Sequence, residues 1–330
     1  MTKETVDFSL RIAVIDTCNF SCLYCPRDTS MENFCPHSTR NNRLNTTSFI
    51  EAINSLLEKY RFSKVVVTGG EPLLAKDLPQ ILQAIKEHNQ YLELDTNGSL
   101  FSEALWEKIK KIPDAVKVSF DSLNKTKFNY LTNCKTLNGF ENTRKLIEAC
   151  IDDKIPITLN IVGTKQNIQD VMEIVNFAKT KQINTSLLDL YYTKETHNFW
   201  LDNYVSVKQW VNDNKNSFDS IETMDDFGCG FIKMYYNAGK NYLRVKLSEA
   251  KTMRDEHCIN CPDYCQEGIF ALRLSRQGWL TSCQSNNGLG AYYTETSKIQ
   301  TLIERINKTA PSTDSFDKLI KFYNLKTPTK

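Results

Sequence analysis

Three cysteines stand close together near the start of the chain: Cys18, Cys22 and Cys25, spaced C-x3-C-x2-C. Thiolate is the soft ligand of iron–sulfur clusters and of structural zinc. Three thiolates in one short loop reach three corners of a 4Fe–4S cube and leave one iron open to a small molecule. Structural zinc is the other reading, although zinc loops usually offer paired C-x2-C spacings and four ligands. Cys35 is the nearby candidate for a fourth ligand, and its plain reading is a loop thiol. A second group, Cys258, Cys261, Cys265 and Cys283, lies near the other end of the chain. Its C-x2-C and two further cysteines suit zinc as well as a cluster. Cys134, Cys150 and Cys229 stand apart, and the plain reading of Cys229 is a buried thiol.

These groups need a scaffold. The chain has 330 residues, 41% of them hydrophobic, enough for one large domain or two ordinary ones without disulfide staples. Its 41 basic and 39 acidic residues leave a formal charge of +2, so no global field gathers nucleic acid or anionic membrane. No stretch approaches the ~20 apolar residues of a membrane span. Met1 to Asp7 is polar and lacks the apolar core of a signal peptide. The expectation is a cytoplasmic protein, where clustered cysteines read as metal ligands.

The segment from Leu10 to Ile15 reads as a strand, followed by a polar loop to about Asn45. Helical spacing runs from Thr46 to Tyr60. Strands are expected at Lys64–Thr68, Tyr91–Asp95, Val116–Phe120, Ile155–Val162 and Ser186–Leu190. Helices are expected at Leu78–His88, opened by Asp77, at Ser102–Lys111 with Ser102 as cap, and at Gly139–Ile151, Asn167–Lys181 and Ser206–Asn214. Six β/α units predict an α/β fold with a parallel sheet, open or a partial (β/α)6 TIM-like barrel. Several strands read as continuous apolar runs, as in strands buried on both faces. The rhythm stops near Asp219. The expected domains are therefore 1–218, the partial barrel, and 219–330, a small cysteine-rich α+β auxiliary unit.

The triad with Tyr24 inside it, followed by Gly69-Gly70-Glu71-Pro72 after the second strand, resembles the radical SAM superfamily. That resemblance implies S-adenosylmethionine on the open iron, with the glycine pair against the methionine amine and Tyr24 near the adenine. It implies an enzyme in which one electron from the cluster breaks the sulfonium C–S bond. The resulting 5′-deoxyadenosyl radical then abstracts a substrate hydrogen. A reductant such as flavodoxin or ferredoxin is implied with it.

Further motifs recur in order from about Asp7 to Thr193: Leu10-Arg11-Ile12, Asp16, Thr68 to Leu78, Thr96-Asn97-Gly98, Val118 to Leu123, and Leu159 to Val162. Together they resemble the GTP 3′,8-cyclase family of molybdenum-cofactor biosynthesis. By that likeness Thr96, Ser119 and Asn160 lie along the S-adenosylmethionine site, beside Glu71. The C-terminal cysteines resemble a twitch or SPASM-like domain, so two 4Fe–4S clusters are expected. Cys229 is then a candidate hydrogen donor.

The departures bear on the substrate. A triphosphate needs several cations at short range. Positions that supply them in the cyclases here carry Ala75, Thr158, Ser186 and Ala271, leaving Arg11 and Arg273 as candidate substrate residues. The cyclases' C-terminal Gly-Gly tail is absent. The expected substrate is therefore a less anionic small molecule, derived from a natural product or a nucleotide, that is rearranged, cyclised or epimerised. A ribosomal peptide is the alternative, weakened because the first strand begins too early for an N-terminal leader-binding module. A cluster-bearing electron carrier ranks last, since it would not need the glycine pair. Asp189, Tyr191, Tyr192 and Arg244 are further pocket candidates.

Overall fold

The structure is a computed structural model. It describes residues 3–25, 43–193, 195–226, 229–247, 251–258, 261, 265, 268–283 and 290–312. Cys35 lies outside the described residues. The first part of the chain contains β1 (Glu4–Thr5), β2 (Ser9–Ala13), α1 (Thr46–Lys59), β3 (Tyr60–Arg61), β4 (Val65–Thr68), α2 (Leu78–Glu87), β5 (Leu92–Thr96) and α3 (Glu103–Ile109). It continues with β6 (Ala115–Ser119), α4 (Lys125–Thr132), α5 (Gly139–Asp152), β7 (Ile157–Val162), α6 (Val171–Lys181), β8 (Asn184–Leu188), α7 (His197–Asn203) and α8 (Val207–Asn214). Then follow β9 (Ser220–Asp226), β10 (Cys229–Tyr236), β11 (Asn241–Lys246), β12 (Thr252–Arg254), β13 (Ala271–Leu274), β14 (Trp279–Thr281), β15 (Gly290–Tyr292), α9 (Thr296–Asn307) and β16 (Ala310–Ser312).

Local chemistry sets the helix starts. Asn45 caps α1 by accepting the Ser48 N–H at 2.9 Å, and Ser102 caps α3 through Leu105. Asp77 occupies the N-cap position of α2 but makes no side-chain cap. Its carboxylate accepts instead from Arg276 at 2.6 Å and Thr46 at 2.7 Å, because a long-range cation outcompetes a local N–H.

The six expected strands form one parallel run, β2-β4-β5-β6-β7-β8. The C-terminal segment extends the same sheet at both ends. β13 joins β2 in parallel, with antiparallel β14 and β15 outside it, and β11 joins β8 in parallel, with antiparallel β10 and β9 beyond. The result is a 12-stranded sheet. It curls: the Phe270 ring, just before β13, lies 4.9 Å from the Arg273 guanidinium and 5.5 Å from the Lys246 ammonium at the end of β11. Six strands separate β13 from β11 in the sheet order.

The expectation of apolar runs buried on both faces holds for β4 alone among the six, whose four residues Val65 to Thr68 are all buried. β5, β6 and β7 alternate strictly. Leu92, Leu94, Val116, Val118, Leu159 and Ile161 face the helices, with at most 1% exposure. The opposite face carries Arg11, Glu93, Asp95, Lys117, Ser119, Thr158 and Asn160 in register. A period of two in a parallel sheet marks a polar interior on one side. Among the described residues no helix is long and apolar enough to cross a membrane.

Candidate active site

The cysteine loop leaves the C-terminal end of β2, and the first turn after β4 braces it. Gly70 N–H donates to the Ile15 carbonyl at 2.7 Å, and Glu71 N–H to Thr17 at 3.0 Å. A Cβ on Gly69 would lie 2.3 Å from the Ile15 oxygen, and one on Gly70 2.2 Å from the Thr17 oxygen. Gly69 also has φ of +143°. Only residues without a Cβ permit this approach of backbone on backbone. The glycine pair thus seats the loop that carries Cys18.

Glu71 is 1% exposed and ties two strand ends together. It accepts from Leu73 N–H at 2.9 Å, from the Thr96 hydroxyl at 2.5 Å and from Asn97 N–H at 2.7 Å. Burial pushes its carboxyl up, and those donors pull it back. Thr96 pairs with Val118 in register and so stands in the core-facing phase. It is therefore not in line with Ser119 and Asn160, which are register partners of each other on the opposite face. Asn160 in turn neighbours Ser186 of β8.

The residue that reaches the thiols from this strand end is Asn97. Its Nδ2 lies 3.9 Å from the Cys18 sulfur and donates to Asn19 Oδ1 at 3.1 Å. Phe20 N–H points at the same sulfur from 3.4 Å. Burial pushes the Cys18 thiol up to about 11, with the charges of Glu71 and Cys25 adding to it and the two N–H donors opposing. Burial, Asp121 and Cys25 push Cys22 up as well. The three thiols therefore feel one another, and a bound cation is what would turn them into thiolates. Among the described residues no three His, Cys, Asp or Glu side chains close around a single metal ion.

Tyr24 donates its hydroxyl to Asp121 and packs, with Val162, on a cluster of Leu190, Tyr192, Trp200 and Tyr204. Asp121 and Asn97 were missed as functional residues although both sit inside motifs singled out above. The signal was a second polar residue at the strand end, one place beyond the residue chosen.

Arg11 and Arg273 are register partners on neighbouring strands. Arg11 lies 3.4 Å from Asp95, and Lys117 lies 2.9 Å from Glu93, which also holds Lys64 at 3.0 Å. Arg244 is the register neighbour of Ser186. Cations and carboxylates therefore alternate across this face.

The C-terminal cysteines also assemble in part. Cys258 donates to Asp255 at 3.4 Å, and Asp255 is paired with Arg305 of α9. Burial pushes Cys258 up to about 11, and Cys283 is close enough to add to that effect. Cys261 N–H reaches the Cys258 carbonyl at 3.3 Å, and the Cys265 sulfur accepts from Gly268 N–H at 3.2 Å. Cys229 lies in β10, and its side chain is outside the described residues. Cys150 is buried in the main core, and Cys134 lies beside Thr136 and Gly139.

The sequence model of the Radical SAM superfamily matches residues 12–178, from β2 through most of α6. The chain belongs to the radical SAM superfamily. Membership implies S-adenosylmethionine and a 4Fe–4S cluster, and it makes the chain an enzyme. Curated relatives include a probable GTP 3′,8-cyclase of Pyrococcus horikoshii, 26% identical over 83% of this chain and 83% of its own. The GTP 3′,8-cyclase of Listeria monocytogenes is 28% identical over 83% of this chain and 78% of its own. Among solved structures, Streptococcus suis SuiB bound to S-adenosylmethionine superposes with a TM-score of 0.63 at 13% identity, over 90% of this chain and 65% of that one. The enzyme anSMEcpe with bound AdoMet gives 0.58 at 16% identity, over 96% and 82%. These two likenesses are of fold.

Proposed function

We propose that this radical SAM enzyme holds a 4Fe–4S cluster on Cys18, Cys22 and Cys25 and cleaves S-adenosylmethionine beside it. The observation that carries the reading is the cysteine loop. Three soft donors sense one another's charge, two N–H groups face the Cys18 sulfur, and the loop backbone fills a cradle that any Cβ at Gly69 or Gly70 would occupy. Hydrogen bonds to the sulfurs orient and tune such a ligand set. When bound, the cluster gives one electron to the sulfonium, whose C–S bond opens to methionine and a 5′-deoxyadenosyl radical that takes a substrate hydrogen. The chain's part is to bind and aim. Gly69 and Gly70 fix the loop, Tyr24 walls the adenine side, and Ser119 and Asn160 offer polar groups at adjacent strand ends. Glu71 and Thr96 stiffen the site from behind.

In the same reading residues 1–218 form a partial barrel and 219–330 an auxiliary unit. Cys258, Cys261, Cys265 and Cys283 hold a second 4Fe–4S cluster there, and Cys229 is a candidate hydrogen donor. A flavodoxin or ferredoxin supplies electrons.

The substrate is a small natural-product or nucleotide-derived molecule that is rearranged, cyclised or epimerised. Its site includes Arg11 and Arg273 but does not suit a triphosphate. Thr158 and Ser186 are small neutral groups on the polar face, and Asp95 and Glu93 add negative charge beside Arg11 and Lys117. Acidic groups there repel phosphate oxygens that a cyclase must gather. The enzyme therefore stands apart in substrate from the cyclases it resembles.

The test is iron and sulfide analysis of anaerobically reconstituted protein, with Mössbauer spectra. About eight iron atoms per chain are expected, falling to about four when Cys18, Cys22 and Cys25 are all replaced by Ala and to about four when the C-terminal four are. Four iron atoms with one zinc would refute the second cluster, and loss of no iron from the first variant would refute the first.

A further inference from the structure

Asp121 follows β6 and is 1% exposed. Its Oδ2 accepts the Tyr24 hydroxyl, and its Oδ1 accepts the Val162 N–H at 2.8 Å. Its backbone carbonyl accepts from Asn167 Nδ2 at 3.0 Å, and the same nitrogen donates to the Val162 carbonyl at 3.0 Å. Asn167 is itself held, because its Oδ1 accepts Thr164 N–H at 2.8 Å and the Thr164 hydroxyl at 2.9 Å. The carboxylate is thus aimed by the ends of β6 and β7. The Tyr24 hydroxyl also lies within hydrogen-bonding reach of the Cys22 sulfur. A phenol has one proton to donate. In this geometry the carboxylate takes it, since a charged acceptor makes the stronger bond.

We propose that Asp121 is a positioning residue for the radical SAM site, with two effects through one hydrogen bond. It fixes the Tyr24 ring where S-adenosylmethionine binds, and it keeps the phenol proton off the Cys22 sulfur. The inference rests on the reading of Cys22 as a cluster ligand. Hydrogen bonds to ligand sulfurs help set a cluster's reduction potential, and donating a proton toward a thiolate eases reduction by offsetting the added charge. Asp121 therefore holds the cluster at the low potential that reduction of a sulfonium demands. In Asp121→Asn the amide oxygen can keep the Val162 N–H while the amide nitrogen turns to the phenol oxygen. The phenol proton is then released toward Cys22.

The experiment compares wild type, D121N, Y24F and the double variant, each reconstituted anaerobically. Two quantities are read from the electron paramagnetic resonance signal of the reduced cluster: its midpoint potential, and the concentration of S-adenosylmethionine that half-converts it to the bound form. D121N should raise the potential and weaken S-adenosylmethionine binding about tenfold, the scale of one buried hydrogen bond to a charged group. Y24F should weaken binding similarly while leaving the potential at the wild-type value. In the Y24F background D121N should add nothing to either quantity, because both residues act through one bond.

A D121N effect of full size in the Y24F background would overturn the inference. So would wild-type values of both quantities in D121N, or a lowered potential in Y24F. If D121N fails to take up iron, the potential of Y24F decides alone. A wild-type signal that ignores S-adenosylmethionine overturns the underlying reading together with this one. A responsive wild type with an additive cycle overturns only this one.

Discussion

Glu71 shows how much of the site hangs on single atoms. Its carboxylate takes three donors in a position almost closed to water. Glu71→Ala leaves those donors buried and unpaired at about 1–3 kcal/mol each, so denaturant unfolding should show a loss of several kcal/mol. Glu71→Gln keeps an acceptor and should cost less. Because burial raises the folded pKa, this carboxyl contributes most below its unfolded value and loses that contribution as pH rises through the folded one. The stability gap between wild type and Glu71→Gln should therefore narrow as pH climbs out of the ordinary glutamate range. A gap that widens over that range would contradict the assignment. Gly70→Ala tests the cradle. Its Cβ would meet the Thr17 oxygen at 2.2 Å, so the loop must move. Bound iron should fall from about eight atoms to about four, with far-ultraviolet circular dichroism unchanged. At this scale the cysteines were legible because spacing alone announces them. Asn97 and Asp121 were not, because what an amide or carboxylate faces is set by a strand end brought in from elsewhere.

The alternation of strand and helix was readable element by element, since each β/α unit carries its own periodicity. The two-faced character of β5, β6 and β7 was also written in their period of two, but a parallel sheet invites the expectation of apolar runs. That expectation hid the row of Glu93, Asp95 and Lys117. Thr96 shows the same effect, one residue out of phase with the polar face to which it had been assigned. The row has a measurable consequence. Burial would raise the Glu93 carboxyl, but Lys117 and Lys64 outweigh it and hold it well below the usual range. A lowered carboxyl contributes stability above its unfolded pKa and loses it as pH falls toward the folded one. Wild type should lose its advantage over Glu93→Gln below about pH 4.5. At neutral pH Glu93→Gln should melt several degrees lower, because two partly buried lysines lose their carboxylate. Equal melting temperatures at pH 7 would show that the three side chains are screened from one another.

At the scale of the molecule, the return of the C-terminal segment to both edges of the sheet could not be read locally. Nothing near Ala271 says that its strand pairs with β2, about 260 residues earlier. Arg276 is the clearest product of that return. It donates to Leu44 and Val14 carbonyls and to Asp77, and its guanidinium lies 4.6 Å from the Phe49 ring centre. Removing one partner of a buried pair costs about 3–5 kcal/mol, so Arg276→Met should unfold at clearly lower denaturant while wild-type iron binding is kept at low temperature. The fold in turn exists to present one loop. The most direct test of the account is the product formed from S-adenosylmethionine by reconstituted, dithionite-reduced protein under anaerobic conditions. The account predicts 5′-deoxyadenosine and methionine in equal amounts from wild type and neither above background from Cys22→Ala. Wild-type protein with its full complement of iron that forms no 5′-deoxyadenosine would contradict it.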